Sequence, residues 1–177
     1  LYFIEGTKIF AYELFDQLAN EMPDNIIMPV GNGSLYLGMW KGINELHEKG
    51  LITKIPRLHC VQARAVMPIV AAHNGEFWDK AKFGLTKAGG IAVGSPPRLH
   101  QVLDVLKKSN GSSIAVDEDE ITSWHTGLPK SEGIYAEPTS AAAFAGAQKL
   151  LEMGVIESAS RVLIPVTGFG MKDKDPS

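Results

Sequence analysis

The 177-residue chain has a single cysteine, Cys60, so no disulfide forms within it and no cysteine-based zinc site can be built. It has no apolar run near the ~18 residues of a membrane-crossing helix, so we expect no membrane partner. Its first residues, LYFIEGTK, lack both the basic and the apolar region of a secretory signal, which points to a cytoplasmic protein. Positive charge is not in excess. The 17 Lys and Arg stand against 20 Asp and Glu, leaving a net charge of -3, which argues against a nucleic-acid partner. The five histidines show no HxxxH or HExxH spacing, so we expect no metal. Low-complexity tracts and repeats of solenoid length are missing too. What remains is ordinary globular material, 45% hydrophobic and 21% charged, long enough for one domain with a real core. The chain begins at Leu1 rather than Met, which suggests part of something longer.

Four apolar runs stand out: residues 25–30 (NIIMPV), 58–63 (LHCVQA), 113–117 (SIAVD) and 161–167 (RVLIPVT). Each is nearly continuous rather than alternating, as in strands buried on both faces of a parallel sheet. Helical patterns lie between them. Thr7 is placed to cap a helix whose Phe10, Ala11, Leu14, Phe15 and Leu18 share one face. Leu35, Met39, Ile43 and Leu46 recur at helical spacing, with Gly38 and Gly42 positioned for close approach to a neighbour. Leu99, Val102, Leu103 and Leu106 form another helix, ended by Asn110-Gly111. Asp117 caps a further helix reaching about Ser131, and Thr139 and Ser140 open an Ala-rich one stopped by Gly154. Strands alternating with helices predict an α/β domain, a parallel sheet flanked by helices in three layers. Residues 74–97 break the rhythm and read as a long irregular loop or lid within that domain.

The strongest local signal is Gly31, Asn32, Gly33 and Ser34, between a buried strand and a helix start. Glycines allow a tight turn and close backbone approach, and the helix start offers free amides that suit a phosphate. An ordinary glycine-rich turn fits equally well. No Lys-Ser/Thr follows, the third glycine of a dinucleotide fingerprint would fall at Tyr36, and Ser34 is not flanked as a nucleophile elbow. A second strand end, IPVTGFG, echoes MPVGNG. Two parallel, nearby strands would bring both turns to one ligand, with the Thr167 hydroxyl offering a neutral hydrogen bond. Common strand-turn chemistry explains the echo as well. The acidic run from Asp117 to Glu120 suits a helix dipole, and Cys60 reads as a small core residue.

Taken together the motifs resemble threonine synthase, a pyridoxal-phosphate (PLP) enzyme of fold type II with the tryptophan-synthase-β fold. The resemblance rests on EGTKIFAYEL (residues 5–14), PVGNGSLYLG (29–38), KIPRLHCVQA (54–63), GIAVGSPPR (90–98), EGIYAEPTSAAAFAG (132–146) and VLIPVTGFGMKD (162–173), in family order. It implies that Gly31, Asn32, Gly33 and Ser34 hold the PLP phosphate, that Thr167 meets the pyridine nitrogen, and that Glu137 gives structural support. Ser34 stands where a glycine is usual and Phe169 where a serine is common. The family's cofactor-attaching lysine lies in an SFKDR-like motif that nothing here matches, so no catalytic residue is assigned in this chain. On the resemblance, residues 1–177 are the C-terminal half of the large catalytic domain. The parent enzyme would turn O-phosphohomoserine and water into threonine and phosphate, acting on a small-molecule substrate, with a homodimer as an option. Cysteate synthase and threonine dehydratase are alternatives within the fold. A non-catalytic α/β module binding an anion or a partner is the alternative outside it.

Overall fold

The computed structural model describes residues 2–172. Asp173, the last residue of the final motif, lies outside them. Four strands, β1 (Asn25–Pro29), β2 (Arg57–Ala63), β3 (Ser113–Val116) and β4 (Val162–Leu163), form one sheet in the order β3-β2-β1-β4. All pairings are parallel. Alternate residues feed two cores. Ile26, Met28, Leu58 and Cys60 face one side, while Ile27, Val61, Ala63 and Val116 face the other.

The first side is covered by α2 (Ile9–Gln17), α3 (Ser34–Glu48) and α5 (Leu99–Lys108), which supply Leu14, Met39, Ile43 and Val105. The second is covered by α6 (Glu118–Ser131) and α7 (Pro138–Glu152), through Ile121, Ala141, Ala142 and Leu150. This is the expected three-layer α/β/α arrangement. Among the described residues no helix is long and apolar enough to cross a membrane.

Several helix signals act as anticipated. Asp117 and Glu120 form a capping box at the start of α6, the Glu120 carboxylate accepting from the Asp117 amide at 2.6 Å. Side chains at Gly38 and Gly42 would overlap Thr7 and Ala11, so the two glycines let α3 lie close under α2 and under α1 (Tyr2–Thr7). That contact is latched by Lys8 with Glu45 (2.9 Å), by Tyr12 with Glu45 and by Lys41 with Glu5.

Other expectations are corrected. Thr7 does not cap a helix. It ends α1, its hydroxyl bonding back to the carbonyls of Phe3 and Ile4, and α2 starts after Lys8 without a side-chain cap. The run 161–167 gives only a two-residue β4, whose Val162 and Leu163 pair with Asn25 and Ile26 of β1. Thr139 and Ser140 sit inside the first turn of α7, which Glu137 and Pro138 open. A short helix, α4 (Pro68–His73), was not anticipated. Residues 74–97 hold two 3-10 turns, Lys80–Lys82 and Gly89–Ile91. Their later part is no loose lid, since Ala88 and Ile91 are fully buried in the second core.

Candidate functional site

At the carboxyl end of β1 the chain passes through Gly31, Asn32 and Gly33 into α3. Gly33 has φ +85°, a left-handed backbone that suits glycine, and its carbonyl accepts the first helical bond from Leu37 at 2.9 Å. The amides of Ser34, Leu35 and Tyr36 precede that bond and are left over by the helix. Ser34 is the first residue of α3 and is not among the positive-φ residues, so its side chain costs the turn nothing. A Cβ on Gly31 would come within 2.7 Å of the Gly90 carbonyl. The loop therefore packs against the 3-10 turn Gly89–Ile91, which is itself pinned by the Gly90 amide donating to Thr139 Oγ1 at 3.0 Å.

The second strand end is held differently. The Glu137 amide donates to the Gly168 carbonyl at 3.0 Å, and the Gly170 amide to the Tyr135 carbonyl at 2.8 Å. Residue 168 must be small, because a Cβ there would overlap the Glu137 carboxylate. Buried Ser140 joins both parts of the turn, lying 3.2 Å from Thr167 Oγ1 and 3.1 Å from the Gly168 amide.

β1 and β4 are parallel neighbours, and their two turns line one cleft of about 310 Å³. Gly31, Asn32, Gly33, Ser34 and Thr167 all border it. So do Phe3, Gly90, Ile91, Glu137 and Thr139, none of which was singled out as a ligand contact in the sequence. Glu137, expected as support behind the site, forms part of the wall itself. Phe169 is not among the lining residues. It is 58% exposed, and its ring meets Tyr135 edge-on at 6.1 Å.

Residues away from the cleft are accounted for structurally. His59 is fully buried, its Nδ1 accepting from the Ser112 amide at 3.1 Å and its Nε2–H donating to Asn25 Oδ1 at 3.0 Å. Burial, with the nearby Arg57 charge second, pushes its pKa down to about 4, so it stays neutral. Burial drives the Cys60 thiol well above its ordinary value and keeps it inert. Among the described residues no group of three His, Cys, Asp or Glu side chains is placed to hold a metal ion.

The family description for pyridoxal-phosphate-dependent enzymes matches residues 1–168. The chain belongs to this family. This PLP-family chain is 38% identical over 174 residues to the threonine synthase of Methanocaldococcus jannaschii, covering 97% of the chain and 43% of that protein. It is 35% identical over 172 residues to the threonine synthase of Mycobacterium bovis, covering 97% and 46%. It thus spans about half the length of the curated relatives it matches.

Among solved structures, a fungal L-serine ammonia-lyase from Rhizomucor miehei aligns with a TM-score of 0.76 at 23% identity, over 94% of this chain and 51% of that one. A threonine deaminase from T.th. aligns with a TM-score of 0.73 at 21% identity, over 98% and 60%. At these identities the likeness is one of fold, that of the fold type II PLP enzymes.

The family's cofactor fits the chemistry of the cleft. The turn at Gly31 and Gly33 leaves no room for side chains and presents unused amides, as a phosphate requires. The neutral Thr167 hydroxyl suits a heterocyclic nitrogen.

Proposed function

We propose that this chain forms the PLP-phosphate loop and the ring-nitrogen contact of a threonine-synthase-type enzyme. Gly31, Asn32, Gly33 and Ser34 bind the phosphate through backbone amides, the start of α3 adding its dipole. Thr167 meets the pyridine nitrogen with an uncharged hydroxyl. Bound PLP supplies an electron sink to an amino-acid substrate, while the protein supplies orientation and electronic tuning. The observation that carries the reading is the convergence of both turns on one cleft at the carboxyl ends of parallel neighbours, in a chain of the PLP family.

The reaction we assign to the complete enzyme is O-phosphohomoserine and water to threonine and phosphate, within cytoplasmic amino-acid biosynthesis. The identity to proteins named threonine synthase supports it. In this reading the chain is the C-terminal half of the large domain, contributes no cofactor-attaching lysine, and works in an assembly that includes a homodimer.

Titration of the isotopically labelled chain tests the site. Inorganic phosphate should shift the amides of Gly31, Asn32, Gly33 and Ser34, and PLP should shift these and Thr167. Phosphate shifts at the loop without any response to PLP would favour a non-catalytic anion-binding module. Shifts confined elsewhere would overturn the site. With PLP and borohydride, peptide mapping of the chain should show no single dominant modified lysine. The same chain should release no phosphate from O-phosphohomoserine. A full-length protein carrying this chain should release phosphate from that substrate faster than it forms ammonia from threonine. The reverse order would favour the dehydratase chemistry.

A further inference from the structure

We propose that Ser140 is a positioning residue that holds Thr167 with its own proton turned toward the cleft, as a donor to an unprotonated ring nitrogen. The inference rests on the cofactor reading above and concerns a residue that does not itself line the cleft. Ser140 lies in the first turn of α7 and is fully buried. A hydroxyl has one proton to give and two lone pairs to receive. One lone pair is taken by the Gly168 amide at 3.1 Å, and the direction of that bond is fixed because an N–H only donates. Among the described residues its other hydrogen-bond partner is Thr167 Oγ1 at 3.2 Å.

Two arrangements are open. If Thr167 donated to Ser140, the Ser140 proton would be left in the interior with no acceptor, which is the costly outcome for a buried donor. The usual escape for a helical hydroxyl is the carbonyl of the preceding turn. Thr122 takes it with Glu118, and Thr126 with Thr122, but among the described residues Ser140 makes no such bond. Ser140 therefore gives its proton to Thr167. The chain of bonds runs from the Gly168 amide to Ser140 Oγ and from Ser140 to Thr167 Oγ1. Thr167 then keeps its own proton for the open side, where the cleft lies. A donor placed there pairs with a nitrogen lone pair. Glu137 lines the same cleft.

Neutron diffraction from deuterated crystals of the 177-residue chain without cofactor decides the hydrogen direction. We expect the deuteron of Ser140 on the line to Thr167 Oγ1 and the deuteron of Thr167 toward the cleft. The Thr167 deuteron on the line to Ser140 would overturn the proposal, whatever the fate of the cofactor reading. A second measurement uses PLP labelled with 15N in its ring. The bound nitrogen should show the shift of an unprotonated pyridine accepting a hydrogen bond, and a pyridinium shift would overturn the proposal.

A double-mutant cycle separates positioning from mere support. Ser140→Ala should weaken PLP binding about fivefold in the unaltered chain and have no further effect in a Thr167→Val background. Equal losses in both backgrounds would show that Ser140 acts only through Gly168. Failure of the unaltered chain to bind PLP would remove the cofactor reading, while the neutron map would still decide the role of Ser140. The same map decides it if Ser140→Ala does not fold.

Discussion

The two turns that meet at the cleft look alike in sequence, MPVGNG and IPVTGFG, yet they are built in different ways. The first ends a five-residue strand, opens a 15-residue helix and offers backbone amides. Its tight neighbours include the backbone of Gly90, which cannot swing aside. The second follows a two-residue strand, leads into a 3-10 turn and offers a side-chain hydroxyl. It is held from the start of α7 by the Ser140 hydroxyl and by the Glu137 backbone amide. A shared Pro-Val-Gly flavour therefore marks a place in the fold, at the end of a parallel strand, and not a shared kind of contact. The first turn is specified by what glycine permits, the second by which hydroxyls are nearby.

Acid gives the largest test, because both turns hang from strands that meet at Asn25. This residue pairs with Val162 of β4 and also accepts the His59 ring proton. His59 titrates near 4 in the folded chain against 6.5 ordinarily, so the unfolded chain takes up the proton first. Stability is full above about pH 6.5 and is lost as the pH falls toward 4. The gap is worth up to about 3 kcal/mol at about 1.4 kcal/mol per unit. Denaturant midpoints across this window should fall, and an NMR titration should place the His59 ring near 4. A ring that titrates near 6.5 would show that this common frame is looser than the bonds imply.

Next in size is Gly33→Ala. It forces a left-handed backbone on alanine and puts a Cβ 2.7 Å from Val102 Cγ2, at an expected cost of about 2 kcal/mol in chemical unfolding. Phosphate shifts at the loop should vanish with it. Gly168→Ala should cost about 1 kcal/mol, because the group it meets is the carboxylate end of the Glu137 side chain and not backbone. Equal costs at the two positions would break the contrast between a backbone-built and a side-chain-built turn. Smallest is Phe169→Ser, which restores the residue the family resemblance leads one to expect. With the ring more than half exposed and off the cleft wall, stability should change by less than about 0.5 kcal/mol. PLP affinity should stay within about twofold, measured by titration.

Much of this architecture is legible in the sequence, for physical reasons that can be named. β1 and β2 are buried on both faces, so their residues are mostly apolar without alternation, and near-continuous runs locate them. The stripe on α3 and the cap at Asp117 are local signals and are read locally. The run 161–167 misleads because an apolar run need not be enclosed. Val162 and Val166 are exposed, Pro165 is the one residue of the run that is buried, and only Val162 and Leu163 pair in the sheet. α4 hides because its six residues are too few to show a period and Pro68 reads as a break, although proline is well suited to a first helical turn. In the site, the glycine loop and Thr167 are visible because strand ends announce them. Gly90 and Ile91 are not, since their place depends on a bond to Thr139 that spans 49 residues. The proton direction at Thr167 is invisible for the same reason.

The strand order also bears on how the cleft comes into being as a ribosome delivers the chain. β1 lies inside the sheet and is made first, with β2 and β3 added outward on one side. β4, laid on the other side of β1, is the last of the four to emerge. The amide wall therefore takes shape while the hydroxyl wall is still unsynthesised. A growing chain presents the glycine loop first and gains the Thr167 hydroxyl opposite it only when β4 docks. A cleft with both walls is thus a late acquisition in the life of each molecule.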